Sequence, residues 1–141
     1  TKSLKNNNVE FVGWVDQIDL PPHIQKADCL LGVFEPNLIK ITRSIPTKLF
    51  ELSPLKKVFI TGRTKAVEYY CKHKLNILFT KLGDDEDLAN KILMIYKDKK
   101  LRKKIKNNFY ELYLNEFKTE KIGKQVKEII EKQIKENNKK Y

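Results

Sequence analysis

The sequence predicts an α/β fold, a Rossmann-like parallel sheet of about four strands with flanking helices and a C-terminal helical tail. Two observations carry this prediction. Short, nearly continuous apolar runs of strand length alternate with segments of helical periodicity in residues 1–96. From residue 98 onward the pattern is helical alone. Runs that are apolar on both faces are typical of strands that helices cover on both sides of a parallel sheet.

Four runs are predicted as strands: Val9–Val15, Cys29–Phe34, Val58–Thr61 and Asn76–Thr80. Their apolar density indicates burial on both faces, and turn residues bound them. In folds of this class, ligands bind beyond the carboxyl ends of the strands. We therefore expect a binding site in the loops that follow these four runs.

Helices are predicted from caps, prolines in first turns and periodic apolar residues. They cover about Pro22–Lys26, Lys48–Leu52, Thr64–Tyr70, a helix from the acidic run Asp84–Asp87 to Tyr96, then Asp98–Phe117 and a last helix from Thr119. Pro46 or Thr47 starts the second of these, and Ser44 is available to cap it. The connection Phe34–Ser44 contains Pro36 and is predicted to be irregular.

The length of 141 residues suits a single domain. Residues 1–8 are predicted to be a disordered segment or linker, residues 98–141 a basic helical tail, and residues 136–141 frayed. No apolar run approaches the roughly 20 residues of a membrane span. The two cysteines, Cys29 and Cys71, are predicted to be free thiols in a reducing compartment, so we expect a cytoplasmic protein.

The net charge is +11, and residues 97–141 hold 15 Lys or Arg against 7 Asp or Glu. Lysine-rich amphipathic helices most often present a solvated face. They also attract acidic partners, such as a membrane surface. Nucleic acid ranks lower, because proteins that read phosphates and bases favour Arg and exposed aromatic residues.

Lys48 and Glu51 are the leading site candidates. They lie three residues apart in a predicted helix, so they project from the same face. A phosphate at the start of this helix would meet the helix dipole, Lys48 and Arg43, with Ser44 and Thr47 beside it. Glu51 could accept hydrogen bonds from two ribose hydroxyls. A plain Lys–Glu ion pair on an exposed helix face is the simpler alternative.

The loop Thr61–Thr64 is the second candidate, because Arg63 and the backbone at Gly62 could contact a phosphate. A plain turn is the alternative. No P-loop or glycine-rich dinucleotide fingerprint follows any predicted strand. No nucleophilic triad and no cluster with metal-ligand spacing is visible, and the acidic run Asp84–Asp87 suits a helix cap better than a metal site. We therefore predict no catalytic residue, no metal and no cofactor.

Several segments resemble the retaining GT-B glycosyltransferases of the family-4 type. Val9–Val15 and the Leu-Pro-Pro loop after it are similar to the family's V-x-F-x-G-x-V … L-P segment. Ala27–Leu31 matches the Ala-Asp pair that stands at the start of a strand in this family. Ile45–Ile60 resembles P-x-K-x-x-E-x-x-A-x-G-K-P-V-I. Later segments, including Ala66–Glu68, follow in the family's order, so the resemblance covers nearly the whole chain from Val9.

The resemblance implies a C-terminal domain that binds a nucleotide-diphosphate sugar, the donor in a sugar transfer with retention. It implies that Glu51 holds the ribose hydroxyls, that Lys48 contacts the diphosphate, and that the loop from Gly13 to Asp16 lies near the base. The donor is then a substrate, and the family's N-terminal acceptor-binding domain is the expected partner.

The sequence also departs from the family's pattern. Arg43 stands where many members have a glutamate that contacts the transferred sugar. The turn Ser53–Lys57 lacks the family's glycine and proline. Neither the first strand and helix of the C-terminal domain nor the acceptor domain is found before Val9. We expect most of one half of a larger enzyme, inactive alone.

A second hypothesis belongs to another class. The +8 net charge of residues 97–141 also suits a non-catalytic interaction module, which would dock an acidic membrane or protein surface through its basic C-terminal helices. A peripheral membrane location follows from this alternative.

Overall fold

The structure is a computed structural model that describes residues 9–37 and 39–138. In this part of the chain, three parallel strands form one sheet in the order β1–β2–β3. They are β1 (Cys29–Leu31), β2 (Val58–Gly62) and β3 (Leu78–Thr80). Leu30 pairs with Phe59, and Thr61 pairs with Phe79. The predicted α/β fold with a parallel sheet is confirmed, with three strands in the described residues.

Helices connect the strands and follow the last one. They are α1 (Leu20–Lys26), α2 (Ile39–Arg43), α3 (Thr47–Leu52), α4 (Lys65–Glu68), α5 (Asp85–Lys97), α6 (Lys99–Leu112) and α7 (Thr119–Asn138). Short 3-10 turns cover Gln17–Asp19 and Ser53–Leu55, and a π-helical turn at Tyr113–Phe117 joins α6 to α7. No helix among the described residues is long and apolar enough to cross a membrane.

Side-chain caps start three of the helices. Thr64, Asp84 and Asp98 each accept a hydrogen bond from the backbone N–H three residues further on, at 3.2, 2.9 and 2.9 Å. Each bond satisfies an N–H group that the first helical turn leaves unpaired. The acidic run after Gly83 is therefore a helix start, as predicted.

The core lies on both faces of the sheet, because neighbouring residues of a strand point to opposite sides. Phe59 packs with Leu49 of α3 and Phe109 of α6 on one face. Val58 and Ile60 pack against α5 and α6 on the other face. All residues of β2 are buried, which accounts for its continuous apolar sequence.

The prediction of a strand at Val9–Val15 is wrong. No strand is formed there, and Phe11 and Trp14 are 85% and 95% exposed. An apolar segment becomes a strand only when a neighbouring strand accepts its backbone hydrogen bonds, and none of the described strands pairs with this segment. This is why the described sheet has three strands instead of four.

Two further predictions need correction. The connection predicted to be irregular contains α2, a short helix that begins three residues after Pro36. The polar end predicted to fray from residue 136 is helical as far as Asn138, and the ion pair Lys132–Glu136, at a helical i, i+4 spacing, supports this last turn. The predicted linker, residues 1–8, and residues 139–141 lie outside the described part of the chain.

Candidate functional site

Lys48 and Glu51 line one groove, which we call the α3 groove. It lies between α1 and α3 beside β1 and has a volume of about 500 Å³. Its walls are largely apolar, with Leu20 and Ile24 of α1 facing α3. The spacing of Lys48 and Glu51 in the sequence thus predicted correctly that they share one surface. The groove combines one cation and one carboxylate with apolar walls, a combination that suits a ligand with both charged and apolar parts.

The two charged side chains of the α3 groove do not neutralise each other. Among the described residues, neither Lys48 nor Glu51 takes part in a salt bridge or a side-chain hydrogen bond. Leu49, fully buried between them, anchors α3 against Phe59 and fixes the face that the helix presents. The interpretation as a plain ion pair is therefore not what the structure shows.

Ser44 does not cap α3, contrary to the prediction. Its hydroxyl donates to the Lys40 carbonyl at 2.7 Å, so it ends α2 instead. Pro46 occupies the N-cap position of α3, without a side-chain hydrogen bond. Arg43 and Thr47 are exposed residues at the end of α2 and the start of α3, outside the lining of the groove.

Gly13 lies in the exposed segment that was predicted as a strand, with a φ of +79° that favours glycine. The space around it is open. Its neighbour Trp14 lines a separate cavity of about 540 Å³ together with Asp16 and His23. Gly13 therefore does not reach the α3 groove in this structure. Gln17, four residues later, does line the groove.

Arg63 lies at a different place from Lys48 and Glu51. It lines a cavity of about 480 Å³ beside β3, which we call the β3 cavity. Its guanidinium donates a hydrogen bond to the Glu68 carboxylate at 2.8 Å. The backbone N–H of Gly62 donates to Val33 at 2.9 Å, and that of Arg63 donates to Thr80 at 2.8 Å. The N–H groups of Gly62 and Arg63 are therefore already engaged, and a phosphate contact by Arg63 would come from its guanidinium.

Close packing explains the glycine of this loop. A Cβ atom at Gly62 would overlap the Leu82 side chain and lie 2.9 Å from the Val33 carbonyl oxygen. Glycine is needed here by the fold, whether or not a ligand binds.

The β3 cavity contains two features that the sequence did not indicate. The hydroxyl of Thr80 is buried and has no hydrogen-bond partner among the described residues. His73 accepts the Phe79 N–H on Nδ1 at 3.0 Å. Burial, followed by the charges of Lys91, Arg63 and Lys74, lowers the pKa of His73, with Asp87 opposing. The ring is therefore neutral at neutral pH.

The described residues hold no conspicuous catalytic or metal-binding group. No cluster of three or more His, Cys, Asp or Glu among them could hold a metal ion. Both thiols are free. Burial, with a smaller contribution from Asp28, raises the pKa of Cys29 to about 11, and burial raises that of Cys71 to about 12. Both are protonated at neutral pH and are poor nucleophiles.

The α3 groove also contains residues that the sequence did not indicate, and they belong to elements other than α3. Gln17, Leu20 and Ile24 come from the 3-10 turn and α1, and Leu30 comes from β1. Nothing in the local sequence links these residues to Lys48 and Glu51, and only the tertiary fold brings them to the same groove.

No family model and no curated protein matches the sequence. Solved structures of other proteins do share its fold. Anabaena HepE in complex with UDP-glucose superimposes with a TM-score of 0.73 and 20% identity, over 89% of this chain and 33% of HepE. The same protein with UDP gives a TM-score of 0.70 and 18% identity, over 81% of this chain and 30% of that one.

A second protein gives the same result. The C-terminal domain of LpcC, a glycosyl transferase group 1 family protein from Francisella tularensis, has a TM-score of 0.60 and 21% identity, over 77% of this chain and 53% of the domain. This chain spans about a third of HepE and about half of the LpcC domain. The likeness confirms the predicted Rossmann-like fold, which this chain shares with part of HepE and part of the LpcC domain.

Proposed function

We propose that this chain is the donor-binding domain of a retaining glycosyltransferase and that it binds a nucleotide-diphosphate sugar in the α3 groove. The observation that carries the proposal is the pair Lys48 and Glu51, which share one groove without forming an ion pair. The fold supports it, since the structurally similar HepE was solved with UDP and with UDP-glucose.

Lys48 and Glu51 have different tasks in this proposal. The Lys48 ammonium contacts the diphosphate as a mobile point charge. The Glu51 carboxylate accepts hydrogen bonds from two ribose hydroxyls, as acids do in other nucleotide sites of α/β folds. The apolar wall formed by Leu20 and Ile24 lies beside them and excludes water from the bound nucleotide.

The remaining site residues lie outside the lining of the α3 groove. Arg43, Ser44 and Thr47 lie where α2 ends and α3 starts, and in the proposal they contact the part of the sugar and its phosphate that extends beyond the groove. Arg63 reaches the phosphate only if its guanidinium leaves Glu68. Gly13 permits the turn that brings the following residues toward the base.

Transfer itself requires a second domain in this proposal. The helix α7 has no buried residue, and an apolar seam runs along it that consists of Ile122, Val126, Ile129, Ile130 and Ile134, 43% to 67% exposed. Such a seam is typical of a helix that packs against another domain. We assign it to the acceptor-binding domain of a parent enzyme, and the isolated chain is then inactive.

Calorimetric titration of the folded chain tests the proposal. UDP-, GDP- and ADP-glucose are added separately, with glucose alone as the control ligand. We expect saturable binding of at least one nucleotide sugar and none of glucose. Absence of binding by all three, in a sample whose circular dichroism shows the α/β fold, would contradict the proposal. For the parent enzyme, the anomeric configuration of the product measured by NMR would test retention.

A further inference from the structure

A further cavity, of about 260 Å³, is lined mostly by cations. Two of its lysines, Lys56 and Lys57, precede β2, and Asp28 precedes β1, so the cavity lies at the amino ends of these strands. The helix α6 contributes the other cations, Lys99, Arg102, Lys103 and Lys106. We call it the basic cavity. It shares no lining residue with the α3 groove.

The cations of the basic cavity are poorly neutralised. The one acid in its lining, Asp28, lies 3.7 Å from Arg102. Lys57 donates to the Gln25 carbonyl at 2.6 Å, which leaves its charge uncompensated. Among the described residues, Lys103 and Lys106 form no salt bridge.

The last helix, α7, shows how lysines are neutralised elsewhere in this chain. In α7, lysines are followed four residues later by glutamates, with N–O distances of 3.8 to 3.9 Å in three such pairs. In α6, Lys99 is followed four residues later by Lys103 instead, which is repulsive. Lys99 and Lys100 also lie in the first turn, where the helix dipole disfavours cations. The charge of α6 therefore opposes helix stability.

Lys56 adds a second unfavourable feature at the same place. Its φ is +52°, in the left-handed region that favours glycine. Its ammonium lies 4.2 Å from the centre of the Tyr110 ring, which holds the cation at the cavity. Lys56 ends the 3-10 turn Ser53–Leu55, where helical segments commonly take this conformation and glycine is the usual residue.

We propose that the basic cavity binds a multiply charged phosphate group, such as a pyrophosphate or the phosphate of an anionic lipid headgroup. An anion there would relieve the repulsion among the α6 cations and would meet both the N-terminal half of α6 and the guanidinium of Arg102. Lysines suit this role as mobile point charges. The site is separate from the proposed donor site and does not depend on it.

The test uses two probes that distinguish the sources of phosphate. Inorganic pyrophosphate is titrated into ¹⁵N-labelled protein, and amide shifts of α6 are followed. Sedimentation with phosphatidylglycerol vesicles is compared with sedimentation with neutral phosphatidylcholine vesicles. Shifts in α6 on addition of pyrophosphate identify a soluble ligand, whereas binding only to phosphatidylglycerol identifies a lipid headgroup. Both effects are expected to weaken steeply with salt.

Matched variants decide whether the cavity is responsible. Lys103→Gln with Lys106→Gln removes two cavity lysines, and Lys100→Gln with Lys104→Gln removes two lysines of the same helix outside it. We expect the first pair to weaken binding about 30-fold, from the contribution of each cation near an anionic surface, and the second pair to weaken it less than about threefold. Equal losses for the two pairs, or no binding of either probe to the unmodified chain, would overturn the proposal.

A single variant guards against loss of folding. Lys56→Gly removes a cavity cation at a position where glycine is conformationally favoured, so the fold is retained. We expect weaker binding with an unchanged circular dichroism spectrum. Unchanged binding by Lys56→Gly would also count against the proposal.

Discussion

We predict that His73 makes the stability of this fold depend on pH. It lies before β3, at the edge of the described sheet, and its Nδ1 accepts the Phe79 N–H. An accepting nitrogen carries no proton, so this hydrogen bond requires the neutral ring. Protonation would place an N–H donor against another N–H donor, and would add a cation beside Arg63, Lys74 and Lys91, which already lower the pKa of His73.

The direction of the effect follows from this lowered pKa. Since the folded chain binds the proton less readily than the unfolded chain, stability is complete above pH 6.5, the ordinary value, and falls as the pH decreases below it. The magnitude is that of one lost hydrogen bond, about 1 kcal/mol, because His73 is partly exposed and solvent screens the added charge. For a domain of this size, the melting temperature would fall by roughly 4 °C.

Urea unfolding at about pH 7.5 and about pH 5.5 measures the effect, in a range where carboxylates stay ionised. His73→Asn keeps an acceptor near the position of Nδ1 but does not titrate. His23→Asn removes the exposed histidine as the matched control. We expect the unmodified chain and His23→Asn to lose about 1 kcal/mol on acidification and His73→Asn to lose less than half of that. If His73→Asn keeps the full pH dependence, the loss of stability on acidification does not come from His73.

Two further predictions concern stability, measured by urea denaturation. Leu49→Ala should lower the free energy of unfolding by about 3 kcal/mol, because it leaves a cavity beneath α3. The control Lys48→Ala, at an exposed position, should change it by less than about 0.5 kcal/mol. Equal effects would show that α3 is not anchored through Leu49. Gly123→Ala should raise the free energy of unfolding by about 0.7 kcal/mol in the open α7 helix, and Gly32→Ala should lower it by about 2 kcal/mol, since the new Cβ would overlap Thr61. The same sign for both glycines would contradict the packing around them.

Local interactions explain the parts of the fold that could be predicted. Asp84 caps α5 through a residue three positions away, and such short-range chemistry can be recognised in the sequence. The run Val58–Thr61 is apolar on both faces because helices cover both sides of β2. Lys48 and Glu51 share a groove because helical spacing places them on one face.

Long-range interactions explain what could not be predicted. The apolar run Val9–Val15 shows that this segment favours burial, but a strand also needs a neighbour, which its own residues cannot supply. Gln17 of the 3-10 turn and Ile24 of α1 reach the α3 groove only through the tertiary fold. The N–H of Gly62 is already bonded to Val33, a partner 29 residues earlier in the chain that local sequence does not indicate.

Above all, we expect Glu51 in the α3 groove to bind the ribose of a nucleotide sugar. Titration of the Glu51→Ala and Glu68→Ala variants with the nucleotide sugar that binds best tests it most directly. The two changes remove the same charge, but Glu68 pairs with Arg63 beside the other cavity. We expect Glu51→Ala to weaken binding at least about tenfold, as for lost hydrogen bonds to a charged group, and Glu68→Ala to leave binding unchanged or strengthen it by releasing Arg63. Equal losses in the two variants would contradict the claim and remove Glu51 from the site.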